Sequence, residues 1–306
     1  MKRKKLWKVL LPGVLVTGVV SVIMVLGSAA DKEPEEVIVV KETEYRSPFM
    51  PDSVSFAGEW LPLGRFDVKE SLDRELLSNA YFHSQTMRYI KLSPRYFSVI
   101  EPILKEKGVP DDFKYLAVAE SGLNPRAVSP ASAVGFWQFL KGTAQEYGLV
   151  VNSEIDERYH VEKSTYAACD YLLGAYRKYG NWTTVAAAYN AGPTGIERQM
   201  LRQKTDSYFD LLLVEETGRY VYRIVALKLI MENPELYNFY IPEEEKYPVI
   251  ETRDVEINSS VEDFADFANT QGINYKLLKD FNPWLRENYL KNLGGKKYVV
   301  KIPVLP

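Results

Sequence analysis

The sequence predicts a mainly α body followed by a small α+β module. Three observations carry that reading. From Val68 to about Glu232, apolar residues recur at the i, i+3, i+4 spacing of helices. Few alternating, strand-like runs interrupt that stretch. Beyond the charged, proline-bounded segment Tyr240 to Pro248, the pattern changes to strand, helix, helix, strand.

The helices justify themselves one by one. Ser71 to Thr86 lies in one candidate helix and Tyr96 to Lys107 in another, which Gly108 ends. Val109-Pro110-Asp111-Asp112 is a start signal, with a proline and two acids at a helix N-terminus. Ser164 is placed to cap a helix whose stripe is Ala168, Cys169, Leu172, Leu173 and Tyr176, ending at Gly180. Cys169 falls on that stripe, which predicts a buried, inert thiol. Trp182 to Tyr189 begins another helix. Arg219 to Met231 is the last long one, with Tyr220, Ile224, Leu227 and Met231 on one side. In the module, Val249 to Ile257 reads as extended. Ser259 or Ser260 caps a helix bearing Val261, Phe264, Ala265 and Ala268. Tyr275 to Phe281 suggests a second helix, and Tyr298 to Ile302 a closing strand.

The N-terminus reads as an address. Lys2, Arg3, Lys4, Lys5 and Lys8 precede an uncharged run from Val9 to Ala30. Positive charge ahead of an apolar stretch predicts export. Residues 1–30 are a signal peptide or an N-terminal membrane anchor, since the run is longer than a usual signal core and ends in Ser28-Ala29-Ala30. The segment has no cysteine, so the expectation is not a lipoprotein. Residues 31–66, with acids and Pro34, Pro48, Pro51 and Pro62, read as a flexible linker. The body then spans 67–242 and the module 249–304.

Charge and composition exclude some functions. The net charge is −3, and with the N-terminal cluster set aside the remainder is more acidic still. Phosphate binding needs clustered Lys and Arg, so nucleic acid is not the expected partner. Cys169, His83 and His160 do not make a structural zinc site. No cofactor or metal is expected. The chain has 21 tyrosines. Such rings suit either a core or a sugar site.

One carboxylate is oddly placed. Phe113, Leu116, Ala117 and Glu120 occupy i, i+3, i+4 and i+7 of one helix face. A carboxylate on a buried stripe loses hydration, which disfavours its charged form. It can then serve as a general acid near neutrality. Ser121-Gly122-Leu123-Asn124-Pro125 ends the helix at once, so Glu120 stands at a terminus opening onto a loop. Pairing with an internal Arg, or turning to water, is the bland alternative. Ser129 to Gly135 is a small-residue loop that lets backbone approach a ligand. It leads to Phe136-Trp137-Gln138-Phe139, aromatic and amide chemistry side by side. Ala186-Ala187-Ala188 permits close packing and leaves Tyr189 and Asn190 at the end of their helix.

These residues carry a resemblance. ESGLNPRAVSPASAVGFWQF, from Glu120 to Phe139, resembles the goose-lysozyme-like lytic transglycosylase family, nearest the membrane-bound lytic murein transglycosylase D group. AAYNAG, from Ala187 to Gly192, is similar to its second motif. Glu216-Thr217-Gly218-Arg219-Tyr220 is similar to its third. DER, from Asp156 to Arg158, and STYAACDYL, from Ser164 to Leu172, also fit. The resemblance covers about residues 70 to 240. It implies a lysozyme-like helical fold, with peptidoglycan glycan strands as partner and the periplasm or cell envelope as location, inner-membrane anchored or not. The chain is expected to be monomeric.

The resemblance also implies the roles. Glu120 would be the acid/base. Ser129 and Gln138 would line the sugar site. Tyr189 would orient the carboxylate or the substrate's acetamido group, with Asn190 supporting the same wall. Glu216 and Tyr220 would close the cleft. Glu216 also reads as a solvated helix start, and Tyr220 as core. Glu120 would protonate the oxygen leaving N-acetylmuramic acid, with the acetamido carbonyl stabilising the oxocarbenium-like centre. It would then take a proton from the muramic C6 hydroxyl, giving a 1,6-anhydro product. Two rivals stand beside this. One is a hydrolytic muramidase using Glu216, Asp156 or Glu157 as a second acid. The other is a non-catalytic wall-binding protein. The C-terminal order resembles a LysM module, but Asn258-Ser259-Ser260 replaces the usual Gly-Asp-Thr helix start, and Leu285 to Lys297 is long.

Overall fold

The computed structural model describes residues 46–305. The expected signal or anchor, 1–30, and the first part of the expected linker, 31–45, lie outside the described residues. Residues 46–66 do not form a tether. Two short strands, β1 (Ser55–Phe56) and β2 (Glu59–Trp60), pair antiparallel. Val54, Phe56 and Leu61 are buried, and the Phe56 ring lies 5.1 Å from that of Phe113. Burying such side chains stabilises by roughly 1.5–3 kcal/mol each, enough to override the proline content that suggested a linker. The Glu59 carboxylate accepts from the backbone N–H groups of Trp182 and Thr183, at 2.5 and 3.0 Å.

Two helices follow, α1 (Phe66–Tyr81) and α2 (His83–Lys107). The single helix expected over Ser71 to Thr86 is broken at Phe82, whose ψ of 58 is non-helical. The Thr86 hydroxyl donates to the Asn79 carbonyl at 2.6 Å and fastens the corner. α2 runs straight through Pro94 and Pro102. Proline removes a helical donor. Here the Ser93 hydroxyl donates at 3.0 Å to the Ile90 carbonyl, the acceptor that Pro94 would otherwise have served. Gly108, at φ 72, closes the helix in the left-handed region.

A 3-10 turn at Asp111–Phe113 leads into α3 (Lys114–Ser121), as the Pro-Asp-Asp signal suggested. Beyond the loop come α4 (Lys141–Glu146), α5 (Val161–Tyr179), α6 (Trp182–Ala191), α7 (Pro193–Gln203) and α8 (Glu215–Glu232). Ser164 does not cap α5. That helix starts one turn earlier, after His160, and the Ser164 hydroxyl turns back to Val161. α8 packs against α1, α3 and α6. Their shared core includes Leu72, Leu76, Leu116, Ala187, Val221 and Ile224, all fully buried. Cys169 is buried there too, and burial pushes its thiol up to about 12.

The C-terminal module has the expected order. β3 (Thr252–Ile257) pairs antiparallel with β4 (Tyr298–Pro303), with α9 (Phe264–Thr270) and α10 (Tyr275–Phe281) between them. Asp263, not Ser259 or Ser260, caps α9. The module is fused to the body. Val134, Ile155 and Tyr159 belong to the same apolar cluster as Phe264, Leu278 and Val300. Backbone hydrogen bonds join Asp156 to Trp284 and Arg286 to Glu154 across the seam. Among the described residues, no helix is long and apolar enough to cross a membrane.

Candidate active site

Phe113, Leu116 and Ala117 are fully buried, so the face that carries Glu120 is the one α3 turns inward. Glu120 itself is only partly covered, at the end of that stripe. The chain leaves the helix abruptly. Gly122 has φ 59, and a Cβ there would meet the Tyr89 ring at 2.5 Å. Leu123 follows at φ 56 while fully buried. A left-handed leucine is costly, of order 1 kcal/mol or more, and persists only where packing enforces it.

The loop after α3 is pinned by its own polar groups. The Ser129 hydroxyl accepts from the Ala133 N–H at 3.0 Å, and the Ser129 N–H donates to the Ala133 carbonyl at 2.9 Å. Gly135, at φ 80, passes so close to Arg158 that a Cβ would lie 2.1 Å from its carbonyl oxygen. Arg158 in turn holds Asp156 at 2.7 Å and donates to the carbonyls of Ser132 and Phe139. The Gln138 side-chain amide donates to the Gly135 carbonyl at 2.8 Å and, less closely, to that of Ala127. The aromatics beside Gln138 belong to the core. Phe136 and Trp137 are fully buried, and the Trp137 indole N–H donates to Thr165 at 2.9 Å. Their apolar area, and the buried partner for the indole, explain the inward choice.

α6 and α8 supply the facing wall. The Tyr189 hydroxyl donates to the Trp137 carbonyl at 2.5 Å, so it braces the loop. The Asn190 side-chain oxygen accepts from the Thr217 hydroxyl at 2.8 Å and ties α6 to α8. Glu216 is exposed in the first turn of α8. Tyr220 is buried, and its hydroxyl donates to Glu120 Oε1. Core packing and contact with the acid are thus both true of Tyr220.

Burial pushes the Glu120 carboxyl up to about 7. The Tyr220 hydrogen bond opposes this, the Glu216 charge adds to it, and the Arg223 charge opposes it. Tyr189 and Tyr220 are both held well above the ordinary phenol range by burial, and each is therefore a neutral donor. Asp156 and Glu157 are engaged elsewhere. Asp156 pairs with Arg158, and Glu157 accepts from the Val150 N–H and pairs with Lys163. That leaves Glu216 as the acid, among those three, that acts on Glu120.

Reading the sequence missed Glu75. It lies on α1 only 1% exposed, paired with Arg219 and near Arg223 of α8. The signal was present: Val68, Leu72, Glu75 and Leu76 form one helical stripe with an acid in it, and two arginines stand four residues apart on α8. A cavity of 610 Å³ lies at the seam with the module, lined by Arg126, Phe136, His160, Trp284 and Lys301 among others. Glu120 is not among its lining residues.

The site is thus a helix-terminal acid under a buried tyrosine, in a helical body fused to a strand-helix-helix-strand module. Residues 97–211 match the family model described as "Transglycosylase SLT domain". Residues 253–305 match the "Soluble lytic transglycosylase C-terminal LysM-like domain". The chain therefore carries an SLT transglycosylase domain followed by a LysM-like domain. It is homologous to membrane-bound lytic murein transglycosylase D of Escherichia coli K12, with 29% identity over 257 residues that cover 81% of this chain and 55% of that protein. The chain thus spans about half the length of the curated relatives it matches. Among solved structures, an inactive mutant of the lytic transglycosylase Slt from Pseudomonas aeruginosa aligns over 52% of this chain and 28% of its own, with TM-score 0.39 and 19% identity. The 70 kDa soluble lytic transglycosylase of Escherichia coli aligns over 50% of this chain and 27% of its own, with TM-score 0.39 and 22% identity.

Proposed function

We propose that this chain is a peptidoglycan lytic transglycosylase acting through Glu120 alone. The observation that carries the reading is a single carboxyl at the end of α3, raised to about 7 and bonded by the buried Tyr220. A general acid works best with a pKa near the operating pH. Glu120 donates its proton to the oxygen that leaves muramic C1, and the glycosidic electron pair departs with that oxygen. The acetamido carbonyl supports the electron-poor anomeric carbon. The Glu120 carboxylate, stabilised by the Tyr220 hydrogen bond, then removes the proton of the muramic C6 hydroxyl. That oxygen closes onto C1, and Glu120 ends as it began. No water is consumed.

In this reading Ser129, Gln138, Tyr189, Asn190, Glu216 and Tyr220 border the sugar groove. Ser129, Gln138 and Tyr189 act mainly by fixing the loop that forms one wall, since their polar groups bind its backbone. The domain limits follow: body 67–242 with the packed 46–66 segment added, and module 249–304. The partner is peptidoglycan, and the chain works in the cell envelope, exported by residues 1–30.

A hydrolytic muramidase on the same fold is favoured by one observation, the charge of Glu216 acting on Glu120. Digestion of purified peptidoglycan by the full chain separates the two by the masses of the released muropeptides. The transglycosylase reading expects 1,6-anhydro ends, and E120Q is expected to lower their yield by at least about 100-fold. Reducing ends, or full activity in E120Q, would refute it.

A further inference from the structure

The seam between body and module gathers three cations that the proposed reaction does not use. A hollow of about 350 Å³ is lined by Arg126, Val128 and Tyr159 of the body and by Lys279, Pro283 and Arg286 of the module, among others. Among the described residues no acid lines it. Arg126 Nη2 donates to the Lys279 carbonyl at 2.8 Å and pairs with Asp280 at 2.9 Å. The half-buried Lys279 ammonium donates to the carbonyls of Leu285 and Glu287. Arg286 donates to the Pro283 carbonyl at 2.9 Å, and its guanidinium lies 4.1 Å from the centre of the Tyr159 ring. Lys279 and Arg286 thus meet carbonyls and a ring, and neither pairs with a carboxylate among the described residues. Burial brings the Lys279 ammonium down to about 8; Arg286 pushes the same way, Glu287 opposes, and Arg126 pushes down again. Cations crowded in this way are stabilised by an anion placed among them.

We propose that this seam is a peptide subsite, in which Arg126, Lys279 and Arg286 take a free carboxylate of a peptide borne by the glycan and the adjoining cavity takes the peptide chain. The inference rests on the reading of peptidoglycan as substrate and deepens it, since the peptides of that polymer carry free carboxylates. Guanidinium and ammonium groups bind carboxylates through charge-assisted hydrogen bonds, and a planar guanidinium held against a ring is already oriented to do so. Phosphate would satisfy the same charges. What favours a peptide is the space beside them. Arg126, Tyr159 and Pro283 also line the 610 Å³ cavity, so the two hollows adjoin. The larger one adds Val249, Ile250, Phe281 and Trp284, an apolar and aromatic lining suited to side chains of a short peptide. Its own acids are engaged: Asp280 by Arg126, and Glu162 by His160 at 3.1 Å and Lys301 at 3.8 Å. Arg126 and Val128 belong to the loop that starts at Glu120 and forms the wall of the proposed sugar groove, so one segment borders both sites.

The test titrates the full chain with a sugar-free probe, diacetyl-lysyl-D-alanyl-D-alanine, whose one charge is its terminal carboxylate. Binding is read by calorimetry and by the indole NMR signal of Trp284, assigned as the signal missing from W284F. The peptide is expected to bind and to move that signal. Its carboxamide is expected to bind at least about 10-fold more weakly, and K279Q and R286Q to weaken the acid by about 10-fold each while leaving the amide unchanged. No binding, equal binding of acid and amide, or full affinity in both variants would overturn the proposal. Inorganic phosphate that binds as tightly as the peptide would overturn the choice of a peptide. If K279Q does not fold, R286Q decides by itself, since that side chain is exposed. The titration needs no turnover. Absence of anhydro products would sink the proposed function and leave this result standing, and failure of the peptide to bind would leave the anhydro products untouched.

Discussion

At the scale of single residues, the account turns on what burial does to one proton. A carboxyl raised from 4.5 to about 7 holds its proton in the folded chain where the unfolded chain has lost it. The folded state then binds more protons between those values, so its stability falls as pH rises through that window. At about 1.4 kcal/mol per pH unit, the cost above pH 7 is about 3 kcal/mol. Replacing the acid by its neutral amide removes it. E120Q is therefore expected to melt several degrees higher than wild type at pH 8 and to differ little at pH 4.5, as calorimetry can read. Equal melting at both pH values would mean that Glu120 is not desolvated. Tyr220 works in the opposite sense, since its hydrogen bond favours the carboxylate. Y220F is expected to shift the alkaline limb of the rate profile upward while lowering the maximal rate. A downward shift would exclude a donated hydrogen bond.

At the scale of elements, the loop from α3 to α4 is the wall of the site, and it is held by backbone geometry. Gly135 combines a positive φ with a 2.1 Å approach to Arg158, so neither requirement can be met by alanine. G135A is expected to lose at least about 2 kcal/mol in urea unfolding. A neutral result would show that the loop can shift freely. Much of this arrangement was legible in the sequence. The stripe Phe113, Leu116, Ala117 fixed the facing of Glu120, and the order of motifs brought α6 and α8 to it. What was not legible depends on partners far along the chain. Phe136 and Trp137 look like sugar-binding aromatics until Tyr96 and Thr165 arrive to bury them. Glu75 looks like a surface acid until α8 lays two arginines across it. The break at Phe82 depends on a side-chain bond from Thr86, and local periodicity runs on through it.

At the scale of the whole molecule, body and module share apolar surface. Val134, Ile155 and Tyr159 of the body are buried in the cluster centred on Phe264 and Val300. Ending the chain at residue 248 uncovers them. The truncated body is expected to melt at lower temperature and to bind a hydrophobic dye, since removing such contacts forfeits roughly 25 cal/mol for each Å² of apolar area exposed. An unchanged melting temperature would make the module an independent appendage. The same seam explains the long segment after Leu285. It carries Arg286 and Lys291, whose backbone N–H groups bond Glu154 of the body, and Leu290, which pairs with Val261.

The proposed chemistry depends on the protonation of Glu120, and that can be read directly. Carboxyl-13C titration of wild-type chain, with E120Q to assign the signal, is expected to place Glu120 at a midpoint near 7, as burial at the end of α3 demands. A midpoint near 4.5, the ordinary value for a glutamate in water, would contradict the account.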